Sequence, residues 1–261
     1  MIVLKDILRC GMKSLVPGAP VSSYRYIQHL IHSAVRQKYG LRHILEIGPG
    51  TDSIFKAMDP ASFESATIVD YQADVLEKVF RGLKDKRIQA IQLDVEEPDS
   101  LVQLNEKWDF VVASSLIEHL KNDSLFLEQL HRVMTDDGYA VCTTVLGPHL
   151  YNLWDHAVGH YRRYTIDELR QLFSPFSEVQ IIQTSILQEL ARPLFFNRIK
   201  HLTDSTLEEN NRRFSAEYEQ LGYPPYASLF WLLRWIFPLY LVCDWAWKDC
   251  QGGVAIVIAR K

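Results

Sequence analysis

Short apolar runs alternate with amphipathic stretches along most of this chain. Ile44–Ile47, Ala66–Asp70, Ile88–Asp94, Trp108–Ala113, Tyr139–Val145, Val179–Ser185 and Val254–Ala259 are rich in β-branched and aromatic residues and read as strands. Between them, apolar residues recur at helical spacing. Tyr24, Ile27, Leu30, Ile31 and Val35 do so within Val21–Tyr39, and Val75, Leu76, Val79, Phe80 and Leu83 after the second strand. Leu127, Leu130 and Met134 mark a further helix, and Ile166–Phe173 another. Asp136-Asp137-Gly138 reads as a turn before the fifth strand. The alternation of such runs with helical stretches is as expected for a sheet covered on both faces. The pattern therefore predicts an α/β fold: a seven-stranded, mostly parallel, Rossmann-like sheet with helices on both faces.

The rhythm breaks in one place. Residues 190–250 are rich in aromatics, Arg and Asn, with Pro224-Pro225 in their middle. The expected organisation is N-terminal helices over 1–40, a sheet domain over 41–189, a helical insertion over 190–250 and a final strand over 251–261. Pro224–Trp247 approaches the length of a bilayer span, but Arg234, Pro238 and Asp244 interrupt it. Three readings stay open for the insertion: a lid, a homodimer interface, or a peripheral membrane contact.

Composition narrows the partners. With 48% hydrophobic residues in 261, the chain can bury a large core. A net charge of −4 and a pI near 6.1 argue against a nucleic-acid partner. Cys10, Cys142, Cys243 and Cys250 form no CxxC pair, so reduced thiols and a cytoplasmic setting are expected. Asp6 and Arg9 interrupt the apolar part of the N-terminus, which does not read as a secretion signal.

The candidate chemistry gathers where strands end. The first strand runs into Gly48-Pro49-Gly50, a turn that lets backbone approach a ligand closely, and Asp52 or Ser53 can cap a helix after it. A strand, a glycine turn and a helix make a nucleotide pocket at the first strand of a doubly wound sheet. Glu46, Asp70 and Asp94 close three successive strands; one such acid alone would be a cap, but three together favour a ligand. His119 and His160 are the candidate proton acceptors, and Arg162 and Arg163 could meet an anionic substrate. His149, His156 and His160 lack a Cys or paired acid to complete a ligand set, so no metal is expected.

Taken in order, these segments resemble a known family. Leu45–Thr51, Ile68-Val69-Asp70, Leu93-Asp94-Val95, Trp108–Leu120 and Met134–Tyr139 are similar to the successive motifs of class I S-adenosylmethionine (SAM) dependent methyltransferases. Gly159–Thr165 resembles a segment of a bacterial subgroup associated with surface-glycan, glycolipid or secondary-metabolite pathways. The resemblance implies SAM as cofactor and S-adenosylhomocysteine as product. It implies methyl transfer to an oxygen, or a nitrogen, of a small-molecule, glycan or lipid-linked acceptor. It assigns the cofactor to Tyr24 on the first helix, Glu46, Gly48, Pro49, Gly50 and Asp52 at the turn, Asp70 and Tyr71 at the ribose, Asp94 and Val95 at the adenine, and Ser114 and Ser115 beneath. Tyr161, Arg162 and Arg163 fall to the substrate, and His160 or His119 to catalysis. Asp52 stands where the family usually has a third glycine. Two other classes remain alternatives: a non-catalytic SAM-fold binding protein and a nicotinamide-dependent oxidoreductase. The latter is disfavoured by the missing third small residue.

Overall fold

The computed structural model describes residues 1–3, 5–7, 9, 23–50, 53–56, 58–83, 85–184, 205–211 and 253–261, with 23–26 by backbone alone. The sheet comprises β1 (His43–Ile47), β2 (Ser65–Asp70), β3 (Ile88–Gln92), β4 (Trp108–Ser114), β5 (Met134–Val145), β6 (Glu178–Thr184) and β7 (Val254–Arg260). Its helices are α1 (Ser23–Tyr39), α2 (Ala73–Arg81), α3 (Asp123–Val133), α4 (Leu153–Val158) and α5 (Ile166–Leu172). The strand order is β3-β2-β1-β4-β5-β7-β6, parallel from β3 to β5, with β7 antiparallel to both its neighbours.

Side-chain alternation explains the apolar runs. Ile44, Ile68, Phe110, Val112, Val141 and Ile256 pack with α1 (Ile27, Leu30, Ile31, Val35) and α2 (Val75, Leu76, Val79) on one face. Leu45, Ile47, Val69, Val111, Ala113 and Val257 pack with α3 (Phe126, Leu127, Leu130) and α5 (Leu169) on the other. Both faces are covered, so both registers of each central strand must be apolar.

The structure corrects three local expectations. The Asp136-Asp137-Gly138 turn lies inside β5, as does Met134, expected on the preceding helix. Met134 pairs with Trp108 and Tyr139 with Phe110, so the surplus residues bulge out of the ladder. A Cβ at Gly138 would lie 3.0 Å from the Thr135 carbonyl oxygen, so the bulge is tight there. Phe80, expected on the buried side of α2, is exposed. β3 stops at Gln92, short of Asp94, because its partner β2 ends at Asp70, opposite Gln92.

Register fixes where the insertion is rooted. Val254 opposes both Thr184, the last residue of β6, and Val145, the last residue of β5. The connection from β6 to β7 therefore leaves and re-enters at the carboxyl ends of the parallel strands. Of the 190–250 insertion, only 205–211 falls within the described residues, and Pro224–Trp247 lies outside them. Among the described residues no helix is long and apolar enough to cross a membrane.

Candidate functional site

The glycine turn is tied to β2 by backbone. The Gly48 N–H donates to the Val69 carbonyl at 2.8 Å, and Gly48 and Gly50 adopt φ of +61° and +57°. A Cβ on Gly48 would press on the Leu116 side chain at 3.0 Å, whereas at Gly50 no described residue lies within 4 Å. The space over Gly50 is where a ligand can approach backbone. Pro49 is buried between the two glycines. Thr51 and Asp52, with the unusual acid, lie outside the described residues, as does the side chain of Tyr24.

Glu46, assigned to the methionine end of a cofactor, is buried and has local work. It accepts hydrogen bonds from Ser53 Oγ at 2.5 Å and from the Ile54 N–H at 2.8 Å, clamping the far end of the loop to β1. Asp70 accepts from the Gln72 N–H at 2.9 Å and from the backbone of Gly50 and Tyr71, so one carboxylate gathers the turn and the start of α2. Burial raises its pKa to about 6, against the pull of those N–H groups. Tyr71 is exposed at the same edge. Asp94 is exposed and accepts from the Glu96 N–H at 2.9 Å, while neighbouring Val95 is buried. Ser114 Oγ is buried with no hydrogen-bond partner among the described residues. Ser115 holds φ at +51°, a sparsely populated conformation for a non-glycine residue, and its N–H donates to the Thr143 carbonyl at 3.0 Å. These residues form one edge, running from β3 to β4 at the strands' carboxyl ends.

Beyond β4 the residues come from further apart in sequence. The Tyr161 N–H donates to the Glu118 carbonyl at 2.8 Å, and Tyr164 Oη donates to Asp123 at 2.7 Å, with the Ile117 carbonyl also in reach at 3.1 Å. The 159–164 loop is thereby locked to the turn after β4. Asp155, fully buried, accepts at Oδ1 from His160 Nδ1 at 2.9 Å and from Arg163 Nε at 2.8 Å, and at Oδ2 from a second Arg163 nitrogen at 2.8 Å. Burial alone would raise the Asp155 carboxyl; its bonds to His160 and Arg163 hold it down at about 2. With Nδ1 committed to Asp155, His160 offers Nε2 to its other side. The His119 ring stands edge-on to it, centroids 4.7 Å apart. Glu118, His119 and His160 converge so that their potential ligand atoms lie within 4.8 Å of one another.

Two assignments change here. Arg163, expected at an anionic substrate, has no exposed side-chain surface and is spent on Asp155. His119 is a poor proton acceptor: burial and the neighbouring His160 push its pKa down to about 3. Arg162 remains partly exposed but binds Asp123 at 3.1 Å and the Lys121 carbonyl at 2.8 Å. Of the three histidines weighed for a metal, His160 alone joins the cluster with Glu118. Asp155 was missed from sequence; its one local signal, the Asn152-x-x-Asp155 capping box, speaks of a helix start rather than of a site.

The described part of the insertion lies across both halves. The Asn211 carbonyl accepts from Tyr71 Oη at 3.3 Å, and its amide donates to the His119 carbonyl at 2.8 Å. The Asn210 amide donates to the His156 carbonyl at 3.0 Å. Gly159, at φ +82°, makes this approach feasible, since a Cβ there would sit 2.4 Å from Asn211 Cα.

Comparison with known proteins gives the family. Residues 22–176 match a family profile described as a methyltransferase domain. Curated protein sequences give no significant match. Among solved structures, phosphoethanolamine N-methyltransferase 2 of Haemonchus contortus, in complex with SAM, is similar with TM-score 0.52 and 15% identity over 88% of this chain and 52% of that one. The N-methyltransferase NodS from Bradyrhizobium japonicum, with S-adenosylhomocysteine, matches with TM-score 0.50 and 14% identity over 70% of this chain and 94% of that one. The CurJ carbon methyltransferase matches with TM-score 0.56 and 11% identity over 92% of this chain and 55% of that one. This chain thus spans about half the length of the Haemonchus protein. At these identities the likeness is one of fold.

Proposed function

This chain belongs to the methyltransferase-domain family, and from that premise we propose that it binds SAM and moves the methyl group to an oxygen of a small-molecule, glycan or lipid-linked acceptor. A nitrogen acceptor is the close variant. The observation that carries the reading is the shared edge. Gly50 leaves open space above its backbone, Asp70 is drawn to the same turn, and His160 stands beyond β4 with Nδ1 fixed by Asp155.

SAM needs a matching group at each part. The Asp70 carboxylate accepts from the ribose hydroxyls, with Tyr71 beside them. Asp94 accepts from the adenine amino group, with Val95 next to it, and the Gly48–Gly50 backbone passes under the methionine portion, above Ser114 and Ser115. The acceptor lies between the sulfonium methyl and the His160 corner, bordered by Tyr161 and Arg162. The C–S bond breaks as the C–O bond forms, the sulfonium becomes neutral S-adenosylhomocysteine, and the hydroxyl proton leaves on the His160 side. Holding the reacting atoms in line can by itself supply on the order of 7–11 kcal/mol of the barrier. An oriented imidazole favours the oxygen reading, because a neutral amine needs less help in losing its proton. The rooting of the 190–250 insertion at this edge supports a lid; a dimer or membrane contact would use the same segment.

Calorimetry with SAM and with S-adenosylhomocysteine tests the reading. Binding of both near one equivalent is expected; absence of both from the folded chain overturns it.

A further inference from the structure

We propose that Glu118, His119 and His160 bind a divalent transition cation of the zinc class, leaving positions open toward the acceptor. Two imidazoles and one carboxylate are a ligand set that zinc, cobalt and manganese accept, and three protein ligands plus an open position is the pattern of a reactive rather than a structural site. The donor atoms lie within 4.8 Å of one another. Ligands at 2.0–2.2 Å around one tetrahedral ion stand about 3.4 Å apart, so the set contracts by up to about 1.4 Å on binding.

Independent features of the surroundings point the same way. His160 gives Nδ1 to Asp155 at 2.9 Å, the carboxylate–histidine arrangement that orients metal-binding imidazoles and leaves Nε2 for the ion. His119 Nδ1 is buried with no hydrogen-bond partner among the described residues. Glu118 is fully buried, where a carboxylate loses hydration and gains from a cation at its side. The backbone carrying the ligands is tied down, with the Tyr161 N–H on the Glu118 carbonyl and the Asn211 amide on the His119 carbonyl, each at 2.8 Å, so the contraction falls to the side chains. Asp155 and Arg163 neutralise each other, so the second carboxylate nearby belongs to the orienting shell and not to the ion. The assignment rests on reading this corner as the acceptor side. With Nε2 on the ion, His160 no longer takes the acceptor's proton; the ion would instead lower the pKa of a bound hydroxyl, whose proton leaves to solvent.

The test is metal binding by the whole chain, read separately from turnover. Chelator-stripped protein is titrated with Zn(II), and with Co(II) followed by its absorption, while melting temperature is recorded with and without ion. The expected result is one equivalent bound and a raised melting temperature. Glu118→Gln and His160→Ala should each weaken binding at least 100-fold, and Asp155→Asn about 10- to 100-fold. Should His160→Ala fail to fold, the isosteric Glu118→Gln carries the test. No stoichiometric binding, or binding that Glu118→Gln leaves unchanged, overturns the proposal. SAM binding by the stripped protein is measured alongside. Cation binding without SAM binding sinks the methyltransferase reading alone, and SAM binding without cation binding sinks this one alone.

Discussion

The two halves of the carboxyl edge are built on different principles. The half proposed for the cofactor, from Gly48 to Asp94, is made of strand ends close in sequence, and its geometry is mostly backbone: Gly48 on Val69, and Gly50, Tyr71 and Gln72 on Asp70. The half proposed for the acceptor, from Glu118 to Arg163, is held by buried charged and aromatic side chains from three separate segments. A backbone cradle suits a ligand that stays the same across a family, since backbone N–H groups do not change with side-chain identity. A side-chain cluster can be retuned by a few substitutions, which suits an acceptor that differs from enzyme to enzyme. The three similar structures described above, two named as N-methyltransferases and one as a carbon methyltransferase, share a fold and not an acceptor atom.

Perturbing each half should give separable outcomes. The largest effect is expected from His160→Ala, which should lower turnover by about 10²- to 10⁴-fold while leaving SAM affinity nearly unchanged; a parallel loss of SAM affinity would dissolve the distinction between halves. Asp155→Ala should come next. It strands the buried Arg163 guanidinium and should cost about 3–5 kcal/mol in urea unfolding, whereas Asp155→Asn, which keeps hydrogen bonding, should cost less. On the cofactor side, Asp70→Ala should weaken SAM binding about 10- to 100-fold through lost hydrogen bonds to a charged group, with turnover at saturating SAM largely retained.

The pH dependence of Asp70 sharpens this further. Burial lifts its carboxyl from 3.8 to about 6 in the folded chain. Between those values the unfolded chain releases a proton that the folded chain keeps, so this residue's contribution to stability falls as pH rises from about 4 to 6 and stays low above that. SAM binding should move oppositely, tightening as pH rises through 6 and the carboxylate forms. Asp70→Asn should flatten both profiles, in thermal melts of the free chain and in calorimetry. The smallest effect is expected from Gly50→Ala. Its left-handed backbone costs an alanine about 1–2 kcal/mol, and the added methyl meets open space in the free protein, so SAM affinity should drop by more than stability does.

Most of the fold was legible because it rests on local patterns. Seven apolar-rich runs and the helical spacings around them predicted seven strands and their helices, since the central strands, covered on both faces, must be largely apolar. The Gly48–Gly50 turn and Asp70 were legible for the same reason: a glycine turn and the acid ending the next strand are neighbours by construction in a parallel sheet. The turn over Asp136–Gly138 was misread because a bulge and a turn use the same residues, and only pairing with β4 tells them apart.

The sequence by itself thus determined the architecture and the edge at which Gly48, Gly50 and Asp70 meet. Only the tertiary structure decided the corner around His160. Asp155, His160 and Arg163 lie within one short stretch, yet nothing local says which of them is buried, which points inward or which charge cancels which. Burial of Asp155 spent Arg163 and oriented His160, and the lock between the 159–164 loop and the turn after β4 brought His160 to Glu118 and His119. The register of β7 against β5 and β6 likewise rooted the insertion at this edge. Propensity and periodicity act over a few neighbouring residues, whereas desolvation and charge pairing depend on what the whole fold brings together.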